Sequence, residues 1–410
     1  MTTTFARIDA VDAVIHRPDG PDRRQRVALV AMHDNADVLH SPAAARIAEA
    51  GYTVISANAR TAPDPEDHDT DWINVLSDVA TVVRYARGLE GIDRVVLYGH
   101  SSGAPLMAAF QNLAENGVRA GQGPEKITPC PDGLAGLPPA DAIILMDPIF
   151  GLGANVLASV DPAVTDEADP SRLDAALDSF RAENGFSASG ASYSPTFRRR
   201  FFAAQAARNN RLIDTAAQRL RLIDAGQGRW ADDEPLVIPG ATRFPRLWRP
   251  DLTLLSRTKR AHPLIRRDGS ITTQAIRSVR APSGTEPTTR LLARGALNTS
   301  VRRFLSTFAT RALGDYEVGE DFISGVDWAS SITNTPNNVA GVSVPVLIMA
   351  MTAHYWLVSA EMAYDAAGSA DKAVAFVEGA THGLTPSATE YGDTLGRTVE
   401  FVGQWLAKRF

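Results

Sequence analysis

The stretch VVLYGHSSGAPLMAAF, residues 95–110, joins an apolar run, a Gly-His-Ser-Ser-Gly turn and a second apolar run. The four apolar residues ahead of the turn predict a short buried strand. The run behind it, closed by Gly117, predicts a helix. A strand that turns into a helix this sharply forces the central residue, Ser101, into a strained backbone and holds its Oγ at the carboxyl end of the sheet. Gly99 and Gly103 remove side chains that would collide around such a turn. The N–H of Ser102, at the helix start, is directed to where an oxyanion would form. Ser101 is therefore the candidate nucleophile and Ser102 a candidate oxyanion donor through its backbone.

Outward from this turn the chain alternates between two patterns. Apolar, β-rich runs at 26–33, 52–60, 94–99 and 141–147 are separated by helical patterns at 41–51, 71–88 and 104–117. Ser41, Pro42 and Gly51 supply the cap, first position and stop of the first helix. Continuous apolar strands alternating with helices indicate a parallel sheet covered on both faces. The rhythm breaks at 149, gives way to helical stretches such as 193–226 and loops rich in Pro, Gly and Arg, and resumes at 344–351, 359–367, 372–379 and 394–410. The expected fold class is α/β, a mostly parallel central sheet flanked by helices. Residues 1–148 and 341–410 form its core, and 149–340 form a large, mainly helical cap or lid insertion.

The chain has 410 residues, 44% of them hydrophobic and 21% charged, which is a globular composition. No apolar run reaches membrane-spanning length. The first twenty residues lack the basic start and apolar core of a signal peptide. One cysteine, Cys130, allows no intrachain disulfide. A soluble, cytoplasmic protein is expected. Between 191 and 303 there are 22 basic and 8 acidic residues, a local charge of +14 that leaves −20 for the remainder of a chain of net charge −6. No nucleic-acid motif accompanies these arginines, so they read as an ion-paired or solvated surface, with attraction of an anionic substrate as the alternative. No nucleic-acid or membrane partner, cofactor or metal is expected. A homodimer is left open.

The order strand–MHD–helix–strand–NAR–helix–strand–GHSSG–helix resembles the core of the α/β-hydrolase family. The resemblance covers about 25–150 and 341–410, and it is to serine hydrolases of esterase type with a large cap insertion. It implies that the base is His382, in FVEGATHGLTP (376–386), between the last strand and the last helix. It implies an oxyanion donor in AMHDNAD (31–37), at the backbone N–H of Asp34, with Asn35 as the alternative and His33 holding the loop. That family usually has Gly where Asp34 stands, and the Asp34 carboxylate would disfavour an oxyanion unless turned away or paired.

The triad acid departs from the family pattern. The loop after the penultimate strand, 345–351, begins Thr352-Ala353-His354, without a carboxylate. Two acids lead: Asp147, which ends the preceding core strand at a position some family members use, and Glu361, in the first turn of the following helix; an Asp elsewhere or a working dyad also stays open. His354, Tyr355, Trp356 and His100 are candidate substrate-binding residues. The aromatics of the insertion, Phe150, Tyr193, Phe197, Phe201, Phe202, Trp230, Phe244, Trp248, Phe304 and Trp328, could line an apolar cavity, but most read as its own core or its seam with the sheet. The implied function is hydrolysis of a carboxylic ester or lactone, or an amide, of a bulky small-molecule organic substrate. An acyltransferase on the same triad and a non-catalytic ligand-binding protein on this fold are the alternatives.

Overall fold

The computed structural model describes residues 1–20, 22–60, 69–286 and 295–410, so residues 287–294 of the expected cap lie outside the described residues. Ten strands form one sheet: β1 (Thr2–Ile8), β2 (Val11–Arg17), β3 (Val27–His33), β4 (Thr53–Asn58), β5 (Arg94–His100), β6 (Ala142–Met146), β7 (Arg257–Ile265), β8 (Ile271–Arg277), β9 (Val346–Met351) and β10 (Lys372–Val377). Their order across the sheet is β1-β2-β4-β3-β5-β6-β9-β10-β7-β8. From β4 through β7 every neighbouring pair is parallel. The hairpins β1–β2 and β7–β8, and the β2–β4 pair, are antiparallel.

The apolar runs read as buried strands are buried on both faces, and alternate residues serve different layers. Ala28, Val30, Leu97, Leu145 and Ile348 pack with the helices Trp72–Gly88, Gly103–Asn116 and Leu357–Ala366. Leu29, Val96, Ile144 and Met349 pack with Pro42–Glu49 and Thr394–Ala407 on the opposite face. This period-two division is why the strands show no polar alternation in sequence. Ser41 caps the first of these helices by accepting the Ala44 N–H. No described helix is long and apolar enough to cross a membrane.

The segment 149–340 is not a separate layer throughout. β7 and β8 return from it to the sheet, where Leu264 and Ile265 of β7 pair in parallel with Phe376 and Val377 of β10. The expectation of one uninterrupted cap is corrected here: the outer strand β8 is mostly exposed, so its residues lack the apolar run that marks a core strand. The rest of the insertion contains the thirty-residue helix Pro195–Asp224, capped by Ser194, and β-ribbons that pair Phe186–Ser187 with Gly190–Ala191, Pro235–Pro239 with Ala296–Ser300 and Ala312–Val318 with Ile323–Val326. Part of its basic surplus is held in ion pairs such as Arg208–Glu167, Arg219–Glu234, Arg246–Asp161 and Arg257–Asp321. Phe201, Phe202 and Trp248 are buried in its core.

At the β5 turn Ser101 has φ +57°, a left-handed conformation that a non-glycine residue adopts only under local compulsion. A Cβ at Gly99 would lie 2.2 Å from the Gly103 carbonyl oxygen, and one at Gly103 would lie 2.6 Å from the Met32 carbonyl oxygen. Both obstacles are backbone and cannot swing aside. Gly99→Ala and Gly103→Ala are each expected to cost about 3 kcal/mol or more, since overpacking against backbone is at the upper end of such penalties. Guanidinium denaturation of the purified variants measures this, and a loss under about 0.5 kcal/mol would contradict the tight-turn argument.

Candidate active site

Five adjacent parallel strands deliver residues to one edge. At or just beyond their carboxyl ends stand His33 and Asp34 (β3), Ser101 and Ser102 (β5), Asp147 (β6), His354 (β9) and His382 (β10). This is the edge at which open α/β sheets present their chemistry. Ser101 and Asp147 share a further property, since Asp147 also has positive φ, +44°. Ser101 N–H donates to the Met146 carbonyl at 2.9 Å and Asp147 N–H to the Met349 carbonyl at 2.6 Å, so the ladder itself holds both strained residues.

Of the two candidate acids, Asp147 is the one beside His382. Its Oδ2 lies 2.6 Å from His382 Nδ1, and its Oδ1 accepts the Met351 N–H at 3.1 Å. The structure does not bring Glu361 to the site. That carboxylate accepts the backbone N–H groups of Lys259 and Arg260, at 2.8 and 3.0 Å, and lies 2.7 Å from His262 Nε2. Glu361 ties the start of β7 to the helix Leu357–Ala366, so its candidacy as the triad acid is corrected to a structural role. Burial opposes its charge, but these hydrogen bonds hold it below the usual carboxylate range.

His354 stands beside His382 as expected of a pocket residue, and it also approaches the acid, which the sequence does not suggest. Its Nδ1 is 2.9 Å from the same Asp147 oxygen, without hydrogen-bond alignment, and its ring stacks on His382 with centroids 4.3 Å apart. His100 also packs against His382, centroids 4.6 Å apart, and its Nε2–H donates to the His382 carbonyl at 2.8 Å. His382 is thus in ring contact with two imidazoles, with Asp147 on Nδ1. Burial works against charge on Asp147, but the imidazoles, His354 ahead of His382, keep the carboxyl well below its ordinary range.

A second Ser-His-Asp grouping sits alongside and is wired the opposite way. His33 Nδ1 accepts the N–H groups of Asn35 and Ala36, at 3.2 and 2.9 Å, so the ring proton is on Nε2. That nitrogen lies 2.9 Å from Ser102 Oγ, and Ser102 donates onward to Asp34. His33 therefore gives a hydrogen bond to Ser102 and cannot take its proton. This network also answers the concern about Asp34. Its buried carboxylate faces Ser102, Thr70 and Arg243, a cation supplied by the insertion. Against the cost of burial, Arg243 first and His33 second hold the Asp34 carboxyl below its usual range. With the Asn35 N–H committed to His33, no acceptor among the described residues takes the N–H of Asp34 or of Ser102. Both donors lie on the turns bordering Ser101.

A cavity of about 280 Å³ opens over Ser101 and His382, with His354, Tyr355, Trp356 and Phe244 in its walls. The three expected pocket residues after β9 all line it. His100 does not; it lines a second cavity of about 380 Å³ that also reaches Ser101 and His382. Asp147, His354 and His382 bring one carboxylate and two imidazoles together, the group among the described residues able to hold a metal ion. The short Asp147–His382 contact and the stacked rings are accounted for without one.

The buried histidines make stability sensitive to acid. Burial brings His33 down from 6.5 to about 4, and burial together with the charge of His382 brings His100 down to about 3. Burial also lowers His354. Below pH 6.5 the unfolded chain binds protons that the folded chain refuses, so stability is full above 6.5 and declines towards pH 4, by up to about 1.4 kcal/mol per pH unit for each of His33 and His100. The carboxylates Asp34 and Asp147, being lowered, titrate beneath that window. Guanidinium midpoints measured down this range are expected to fall continuously, and a flat profile would refute the neutral assignment.

No family model matches the chain, and no curated protein matches it. Among solved structures it is similar to Est1E from Butyrivibrio proteoclasticus, 11% identical over 99% of this chain and 98% of that one, with a TM-score of 0.40. It is also similar to proline iminopeptidase from Mycobacterium smegmatis, 13% identical over 99% and 100%, with a TM-score of 0.41. A soluble variant of monoglyceride lipase from Saccharomyces cerevisiae is 13% identical over 100% and 96%, with a TM-score of 0.43.

Proposed function

We propose that this chain, which has the α/β-hydrolase fold, is a serine hydrolase that cleaves a carboxylic ester or lactone of a bulky organic substrate through an acyl-enzyme. The observation that carries the reading is the 2.6 Å contact of His382 Nδ1 with Asp147, on a strand end next to the strained Ser101. Asp147 fixes the His382 tautomer with its proton on Nδ1, leaving Nε2 as the base. Ser101 Oγ attacks the carbonyl carbon and its proton passes to His382. The negative charge that forms on the carbonyl oxygen is met by the backbone N–H groups of Asp34 and Ser102. His382 then protonates the departing alkoxide, and the same histidine activates the water that releases the acid.

Esters and lactones are favoured over amides because an amine leaving group demands stronger protonation. The parts of 149–340 outside β7 and β8 serve as the cap that shapes the pocket and excludes water. A fluorophosphonate probe tests the reading. Peptide mass spectrometry is expected to locate the adduct on Ser101, and a panel of esters, lactones and amides is expected to show turnover of the first two. A folded wild-type protein that takes no label and cleaves nothing would sink the proposal.

A further inference from the structure

The loop after β9 is held from two sides. Thr352 Oγ1 accepts the Gly379 N–H at 2.7 Å and the Ala353 N–H donates to the Ala380 carbonyl at 2.9 Å, which ties it to the loop that carries His382. The Thr352 carbonyl accepts the Val279 N–H at 2.8 Å and the His354 carbonyl accepts the Ser278 hydroxyl at 3.0 Å, which ties it to the chain leaving β8. These bonds set the backbone of His354, and its ring comes to Asp147. Two imidazole nitrogens then stand beside one carboxylate oxygen, His382 Nδ1 at 2.6 Å and His354 Nδ1 at 2.9 Å from Asp147 Oδ2. A carboxylate oxygen has lone pairs enough for two N–H groups. The other oxygen, Oδ1, takes the Met351 N–H. Among the described residues, His354 is the one group besides the base itself that is placed to hold Oδ2.

We propose that His354 carries its ring proton on Nδ1 and is a positioning residue for the base, holding the Asp147 oxygen that orients His382. The inference rests on the serine-hydrolase reading and adds a member to its machinery. An unprotonated ring nitrogen is the negative pole of an imidazole, and a carboxylate oxygen at 2.9 Å would repel it. With the proton on Nδ1 the same contact is attractive. A carboxylate that steers an imidazole does so only as firmly as it is itself held. Were His382 the sole partner of Oδ2, carboxylate and ring could turn together about the one Met351 bond. The N–H of His354 opposes that turn, and its ring lies against the His382 ring, centroids 4.3 Å apart. His354 acts in this way through Asp147 and on the rate, whereas a residue that only walls the pocket acts on substrate binding.

The test uses an ester that the wild-type protein turns over. His354→Phe keeps a flat ring and deletes the N–H, whereas His354→Asn keeps an N–H on the atom bonded to Cγ, as Nδ1 is. His354→Phe is expected to lower kcat about tenfold or more with KM within about twofold of wild type, and His354→Asn to keep kcat within about threefold. In an Asp147→Asn background His354→Phe is expected to cost less than about twofold, because the group it acts through is already gone. Circular dichroism reports whether each variant is folded. A change confined to KM, equal losses in His354→Phe and His354→Asn, or the same loss in both backgrounds overturns this inference and leaves the hydrolase reading standing. If no variant folds, proton NMR of the wild-type protein with isotope-labelled histidine decides. Two rings are then expected to show a strongly downfield proton on Nδ1, and a single such ring overturns the inference. A wild type that neither takes the fluorophosphonate label nor turns over any ester overturns the hydrolase reading, and this inference with it.

Discussion

Ser101→Ala is expected to lower kcat/KM for every ester the wild type cleaves by about 10⁵-fold, whereas Ser102→Ala loses about tenfold. The contrast matters because adjacent serines each have a histidine and an aspartate nearby. Distance alone does not separate them, since Ser102 Oγ is 2.9 Å from His33 Nε2. Proton direction does. His33 is pinned as a donor through Nε2 by the two backbone N–H groups on its Nδ1. Ser102 Oγ is therefore one link in a chain running from His33 to Asp34, and its loss leaves the Ser101–His382–Asp147 set in place. Without Ser102 Oγ the Asp34 carboxylate keeps Arg243 and Thr70 as partners, so the expected stability cost is about 1–2 kcal/mol, that of one charge-assisted hydrogen bond. Steady-state kinetics on variants with wild-type circular dichroism decides the matter. Loss of activity in Ser102→Ala with Ser101→Ala still active would reverse the assignment of the two serines.

The residues legible in the sequence were those whose role is enforced locally. The Ser101 turn is specified within five residues, because only glycine fits on either side, and His382 is placed by lying between the last strand and the last helix. The Asp147 alternative was visible because it ends a strand that had to be a neighbour of β5. What stayed hidden depends on contacts between distant segments. That Asp34 needed a counter-charge followed from its identity; that Arg243 supplies it, 209 positions away, has no local signature. His354 was read as a pocket residue because the loop after β9 borders the site. Its contact with Asp147 depends on the register of β6 against β9, Met146 facing Met349, which apolar runs do not encode. β7 and β8 escaped notice because a strand at the sheet edge needs little apolar surface. Glu361 was drawn towards the site by its nearness in sequence to the expected acid position, yet the helix turns it to the far partner His262.

Asp147→Asn and Glu361→Gln are expected to separate catalysis from stability. In Asp147→Asn the amide no longer enforces the proton on His382 Nδ1, and the wrong tautomer leaves Ser101 without a base; kcat is expected to fall about 10⁴-fold. The same change removes the anion that both His354 and His382 face, so neither imidazole retains its counter-charge. Glu361→Gln touches none of this. Its carboxylate gathers two backbone N–H groups and a buried imidazole, and a neutral amide satisfies them less well. The expected loss is about 1–3 kcal/mol of unfolding free energy, with kcat within about twofold of wild type. Denaturant midpoints and kcat measured on the same preparations give the two readouts. A Glu361→Gln variant with full stability and a kcat lowered by orders of magnitude would place the acid on the wrong strand. The opposite pattern ties activity to the carboxylate at the end of β6, because there, alone among the described residues, an anion lies within a hydrogen bond of His382 Nδ1.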